Sequence, residues 1–190
     1  MRNFFIALAL LLGFTMATKA QVTMREMLKT MPDTLVPFLP ENACLDFIDF
    51  IDSSMKAEVS NRLEGKSELL KLTDTYATLS LTQASSLDMR LLDCEEMVDS
   101  THQILCLVRT YGTDIRESTL EFYSSAWRKL PIADRVILPA DMHYLVLGEQ
   151  ESTLTIVPEC RLDAPANEEQ KELAKASRIL KWNRKRFNEY

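Results

Sequence analysis

Glycine is nearly missing from this chain: 4 of 190 residues, one of them Gly13 close to the start. Loops that wrap closely around phosphate or a dinucleotide use glycine for positive φ and close backbone approach, so almost nothing is available to build them. A nucleotide-dependent enzyme is a poor fit. Two histidines and four cysteines leave few ways to assemble a catalytic triad or a metal centre. Internal repeats, low-complexity tracts and any linker long enough to mark a second domain are lacking as well. The chain does have 46% hydrophobic residues, enough to bury a core, and 28 Asp and Glu against 22 Lys and Arg, a net charge of −6. This length suits one domain better than two.

The first twenty residues read as an export signal. Arg2 supplies the positive start, Phe4 to Phe14 form an apolar run of 11 residues, and Thr18-Lys19-Ala20 offers the small residues of a cleavage site. That run falls well short of the roughly 20 residues a membrane span needs, so cleavage after Ala20 is expected, with no transmembrane span afterwards. Loss of Arg2 and Lys19 takes the charge from −6 to −8. A periplasmic or secreted location follows, where no pool of ATP or reduced nicotinamide is available. Cys44, Cys94, Cys106 and Cys160 all remain after cleavage, and an oxidising compartment permits two disulfides in any of three connectivities. Cys94 and Cys106 are close enough in the chain to meet across a hairpin, which would leave Cys44 with Cys160.

The rest divides into residues 21–166, a single domain, and 167–190, a basic helix or partly frayed tail. Met24, Met27, Leu28 and Met31 fall at helical spacing behind a Thr23/Glu26 capping box. From Asn42 to Met55, Leu45, Phe47, Ile48, Phe50 and Ile51 alternate with Asp46, Asp49 and Asp52, the pattern of a helix lying on a core. The period then changes to two. Strands are expected at 77–82, 87–92, 103–110, 118–123, 143–147 and 153–157, with connections short enough for hairpins. The fold expected is α+β: N-terminal helices on one face of a mostly antiparallel sheet of about six strands, plus the C-terminal basic helix. In that last segment seven Lys and Arg stand against four Glu, a net of +3, and Leu173, Leu180 and Phe187 recur every seven residues.

The block Ser118-Thr119-Leu120-Glu121-Phe122-Tyr123, followed by Trp127 and Leu130, resembles a family of small secreted proteins of unknown function from Bacteroidetes-type anaerobes. Met31-Pro32 and Gly65-Lys66-Ser67 contribute to the same likeness, which spans most of the exported chain. The resemblance implies an envelope or secreted location. It brings no catalytic residues with it.

Several residues are candidates for chemistry, each with a plainer reading beside it. Gly65-Lys66-Ser67 has the form of the end of a phosphate loop, but Ser60 stands where that motif needs its first glycine and no apolar strand precedes it. A polar turn with Gly65 capping a helix is simpler. Asp46, Asp49 and Asp52 are candidate ligands for a hard cation such as calcium, although a spacing of three lacks the alternation and glycine bend of a calcium loop. A solvated helix face explains them. Asp141 and His143 would share one face of a strand as a carboxylate–imidazole pair for hydrolysis, with no nucleophile elbow to serve. His102 reads as structural. Arg178, Lys181, Arg184, Lys185 and Arg186, with Trp182 as an interfacial anchor, are candidates for contact with an anionic surface, against docking of the helix on its own acidic domain. Nucleic acid is a poor partner for an exported acidic chain. The expectation is an envelope binding or interaction module for an unknown protein or envelope component, with no cofactor. A hydrolase built on Asp141 and His143, or surface attachment through the terminal helix, is the alternative.

Overall fold

The computed structural model describes residues 21–158 and 177–189. Helix α1 (Met24–Lys29) starts at the predicted capping box: the Thr23 hydroxyl accepts from the Glu26 N–H, and the Glu26 carboxylate accepts from the Thr23 N–H at 2.8 Å. After one 3₁₀ turn (Asp33–Leu35), helix α2 (Ala43–Asp52) buries Ala43, Phe47 and Ile48 and leaves its three aspartates outside.

Seven strands then follow in chain order as an antiparallel meander: β1 (Glu58–Ser60), β2 (Lys66–Leu72), β3 (Tyr76–Thr82), β4 (Ser85–Val98), β5 (Thr101–Tyr111), β6 (Glu117–Tyr123) and β7 (Lys129–Leu130). Each neighbour in sequence is a neighbour in space. Gly112 closes the β5–β6 turn at a φ of 96°, where a Cβ would stand 1.8 Å from the Ile115 carbonyl oxygen. Only glycine fits there.

The two faces of β4 and β5 feed different cores. Leu87, Met89, Leu91, Leu105 and Leu107 pack against Met24, Met27, Leu28, Phe47 and Ile48 of the helices. The opposite face presents Leu92, Cys94, Ile104, Cys106 and Val108 to a second sheet. That sheet contains β8 (His143–Leu147), β9 (Thr153–Pro158), β10 (Arg178–Trp182) and β11 (Phe187–Glu189), in the spatial order β11-β10-β9-β8. Its aromatic centre joins the layers: Trp182 stacks 6.3 Å from the buried ring of Phe122, and Phe187 sits edge-on to Trp182 at 5.1 Å. Three such rings supply several kcal/mol of apolar burial, at about 1.5–3 kcal/mol each.

This corrects the expected α+β class. Among the described residues the protein is mostly β, two antiparallel sheets of seven and four strands, with the short helices covering the outer face of the larger one. The six strands expected from the alternating pattern are present, but they divide between two sheets, and five more join them. The C-terminal segment is the largest departure. Residues 178–189 form a hairpin, not a helix, because Leu180, Trp182 and Phe187 all point into the second core at strand spacing. The seven-residue recurrence of Leu180 and Phe187 is therefore coincidental, and Leu173 lies outside the described residues.

Candidate functional site

The second sheet lies against β4, β5 and β6, and polar side chains gather beside β4 in two places. Near its start, a groove of about 340 Å³ is lined by Tyr76, Ser80, Ser86, Asp88, Arg116 and Tyr144 among others. Tyr76 and Asp88 lie on paired strands, and the Tyr76 hydroxyl donates to the Asp88 carboxylate at 3.0 Å. Burial raises the Asp88 carboxyl above its ordinary range, against the opposing pull of the Thr78 and Tyr76 hydroxyls. Burial likewise raises the Tyr76 phenol, and the neighbouring Asp88 charge adds to it. The Arg116 guanidinium lies 3.7 Å over the Tyr144 ring, closing part of the wall as a cation–π pair.

Arg90 stands two residues along the same face and is 6% exposed. Its Nη1 donates to the Gly148 and Glu149 carbonyls at 2.9 and 2.8 Å, its Nη2 to Gln150 at 3.1 Å, and its Nε to the Ser152 hydroxyl at 3.3 Å. Burial lowers its pKa. With four N–H groups engaged, Arg90 is a clamp that holds the β8–β9 turn on β4.

The far end of β4 is irregular. Four residues, Cys94 to Met97, stand against the single His102 of β5, and this bulge swings the strand end toward the β10–β11 turn. The turn grips it: Trp182 Nε1 donates to the Asp93 carbonyl at 2.6 Å, and the Glu95 N–H donates to the Arg184 carbonyl at 3.1 Å. A third segment closes the ring, since the Phe187 N–H donates to the Arg135 carbonyl at 2.7 Å. Between bulge, turn and the loop carrying Arg135 lies a cleft of about 470 Å³. Arg135, Arg184, Lys185 and Arg186 line it with Glu95, Glu96 and Asp134, over a floor that includes Trp182, Val98 and Ile104. At its base the Cys94 thiol is raised, mainly by burial, and the Arg135 and Arg184 charges oppose that shift.

Residues 15–164 match the model of a family described as "Protein of unknown function (DUF3256)". The chain belongs to this family. Its fold is similar to that of a domain of an uncharacterized protein from the Bacteroidetes species Porphyromonas gingivalis W83, with a TM-score of 0.70 at 17% identity, covering 90% of this chain and 99% of that one. No curated protein matches. The family match ends before β10, so the cationic turn lies beyond it, whereas the groove near the start of β4 lies inside.

The structure separates most of the residues singled out by sequence. His143 donates from Nδ1 to the Asp141 backbone carbonyl, which can only accept, at 2.7 Å, and not to its carboxylate. Among the described residues the buried Nε2 of His143 has no hydrogen-bond partner. Asp46 and Asp49 are exposed, Asp52 pairs with Arg25 at 2.9 Å, and among the described residues no three metal-binding side chains come together. Gly65 closes the β1–β2 hairpin, where Asn61 Oδ1 accepts from the Gly65 and Leu63 N–H groups at 3.0 Å, so the expected helix cap is a strand turn.

Cys106 lies opposite Arg90 in the β4–β5 register, and Cys94, Cys106 and Cys44 are all free thiols. The expected Cys94–Cys106 bridge is therefore absent, and Cys160 lies outside the described residues. Burial pushes the Cys44 thiol up to about 11. Trp182 is buried and hydrogen-bonded, so it is a core residue and not an interfacial anchor. Arg178 pairs with Glu189 at 3.3 Å and Lys181 with Glu151 at 4.0 Å, leaving Arg184, Lys185 and Arg186 together at the cleft. Arg135, Asp88 and Tyr76 were not among the sequence candidates. Among the described residues no helix is long and apolar enough to cross a membrane.

Proposed function

We propose that this protein is an exported binding module, released into the periplasm or beyond after cleavage behind Ala20, which recognises a ligand or an envelope component without chemistry of its own. The observation that carries this reading is the orientation of His143. Its imidazole is held by a backbone carbonyl, so the pair that would make a hydrolase is not aligned for proton transfer. The polar groups that do converge line the two clefts beside β4, where they are arranged to form hydrogen bonds and ion pairs. An acidic chain with few glycines supports binding of something other than nucleic acid or nucleotide.

The test pairs the protein with its His143→Ala variant on chromogenic esters, peptides and glycosides. The expected result is no turnover above buffer for either protein. A rate that the substitution abolishes would show a hydrolase instead. The location is tested separately by the N-terminus of native material, expected to begin at Gln21; a chain retaining Met1 in the cytosol would contradict export.

A further inference from the structure

The cleft at the far end of β4 is where the chain's electrostatics depart from its average. Acids outnumber bases, and cations elsewhere commonly find a carboxylate: Arg25 with Asp52, Arg128 with Asp99, Arg178 with Glu189. Around the cleft, among the described residues, no carboxylate lies within 4.0 Å of Arg135, Arg184, Lys185 or Arg186. The turn that presents three of them is pinned in place. Asn183 Oδ1 accepts from the Lys185 and Arg186 N–H groups at 3.1 and 2.8 Å, and Arg184 is held at a φ of 73° while its carbonyl accepts from Glu95. A binding surface ordered before the ligand arrives loses less entropy on binding.

We propose that this cleft binds a small anion, a molecule bearing phosphate or carboxylate, through Arg135, Arg184, Lys185 and Arg186. The proposal rests on the binding-module reading above and gives it a ligand class. The volume of about 470 Å³ accommodates a small molecule, and guanidinium forks suit the paired oxygens of either anionic group. Trp182, Val98 and Ile104 give an apolar surface for the rest of the molecule. Glu95, Glu96 and Asp134 set a limit on size, because an extended polyanion or a charged bilayer passing over the cleft would meet three carboxylates of its own sign. Trp182 lies in the core and is not free to enter a bilayer.

The experiment is calorimetric titration of the purified protein with inorganic pyrophosphate and with citrate at low and moderate salt, alongside sedimentation with phosphatidylglycerol vesicles. The variant is Arg184→Asn with Arg186→Gln, because asparagine tolerates the positive φ at position 184. Lys185→Ala serves as a second, single-site variant. Saturable binding of one of the two anions is expected, weakened by salt and by about tenfold or more in the double variant, with an unchanged melting temperature. Failure of both anions to bind, or equal affinity in the double variant, overturns the proposal. Vesicle sedimentation that the cations support while free anions do not bind would assign the cleft to a lipid surface and also overturn it. None of these outcomes alters the result with His143→Ala, so the ligand class and the non-catalytic reading fail independently.

Discussion

In the first half of β4 the guanidinium of Arg90 is buried and four of its N–H groups are hydrogen-bonded. Beyond the end of the same strand, Arg184, Lys185 and Arg186 are exposed, and among the described residues no carboxylate pairs with them. The difference separates two uses of one functional group. A buried cation with four of its five N–H groups engaged by carbonyls and a hydroxyl of its own chain fixes the fold and has little left for a ligand. A cation held on a pinned turn without partners adds little to stability and keeps its donors available. Asp88 lies between these extremes: its oxygens accept hydroxyls, yet it borders an open groove.

The strongest way to break this contrast is to remove what both regions rest on. Trp182→Ala deletes a ring that packs on Phe122 and Phe187 and forms the floor of the cationic cleft, so a loss of about 3–5 kcal/mol is expected from urea denaturation. Arg90→Met comes next. It leaves the carbonyls of the β8–β9 turn without donors at a cost of about 2 kcal/mol, and anion titration should be unaffected. Arg90→Lys should restore only part of that stability, since an ammonium cannot reproduce the fork.

A smaller, pH-dependent effect is expected at Asp88. Its carboxyl is raised in the folded protein, so the stability it contributes is fully present below the unfolded value and is lost as pH rises through the folded one. Relative to Asp88→Asn, the wild type should therefore gain stability as pH falls from neutral into the range just above 3.8, the ordinary value. Melting curves of both proteins across that range check the sign, and a gain in the opposite direction would refute it. The least effect on the fold belongs to Arg184→Asn with Arg186→Gln, within about 0.5 kcal/mol, although anion affinity falls by about tenfold or more.

How far the sequence could be read follows from which side chains carry the pattern. Strands β3 and β9 announce themselves because Ala77, Leu79 and Leu81, or Leu154 and Ile156, repeat at the period of a strand, and β5 because the run from Ile104 to Val108 is apolar on both faces, as in a central strand. Strand β2 does not, because Lys66, Glu68 and Lys71 dilute its inward Ser67 and Leu69, and a bulge after Leu69 breaks the alternation. The C-terminal hairpin was hidden by composition: Lys, Arg and Glu favour helices in isolation, and burial of Trp182 and Phe187 against Phe122 overrides that preference. The second sheet could not be seen at all, since nothing local says that one face of β4 is covered by helices and the other by strands.

The candidate site was legible in part. Charge asymmetry pointed to Arg184, Lys185 and Arg186, but to a helix face instead of a turn. Arg135 sits alone in a loop among Ile132, Ala133 and Asp134, with no local signal of its role. The hydrogen bond from Phe187 to its carbonyl and the burial of Val136 in the core beside Trp182 and Phe187 bring that loop to the turn. Asp88 and Tyr76 meet through β3–β4 pairing, which also lies beyond any spacing rule.

The most direct measurement is a crystal structure of the protein grown with phosphate. Density for the anion between the Arg135 and Arg184 side chains, with Lys185 or Arg186 turned toward it, is the predicted result. Side chains of those four residues folded onto Glu95, Glu96 and Asp134, with no anion in the cleft, would contradict the account.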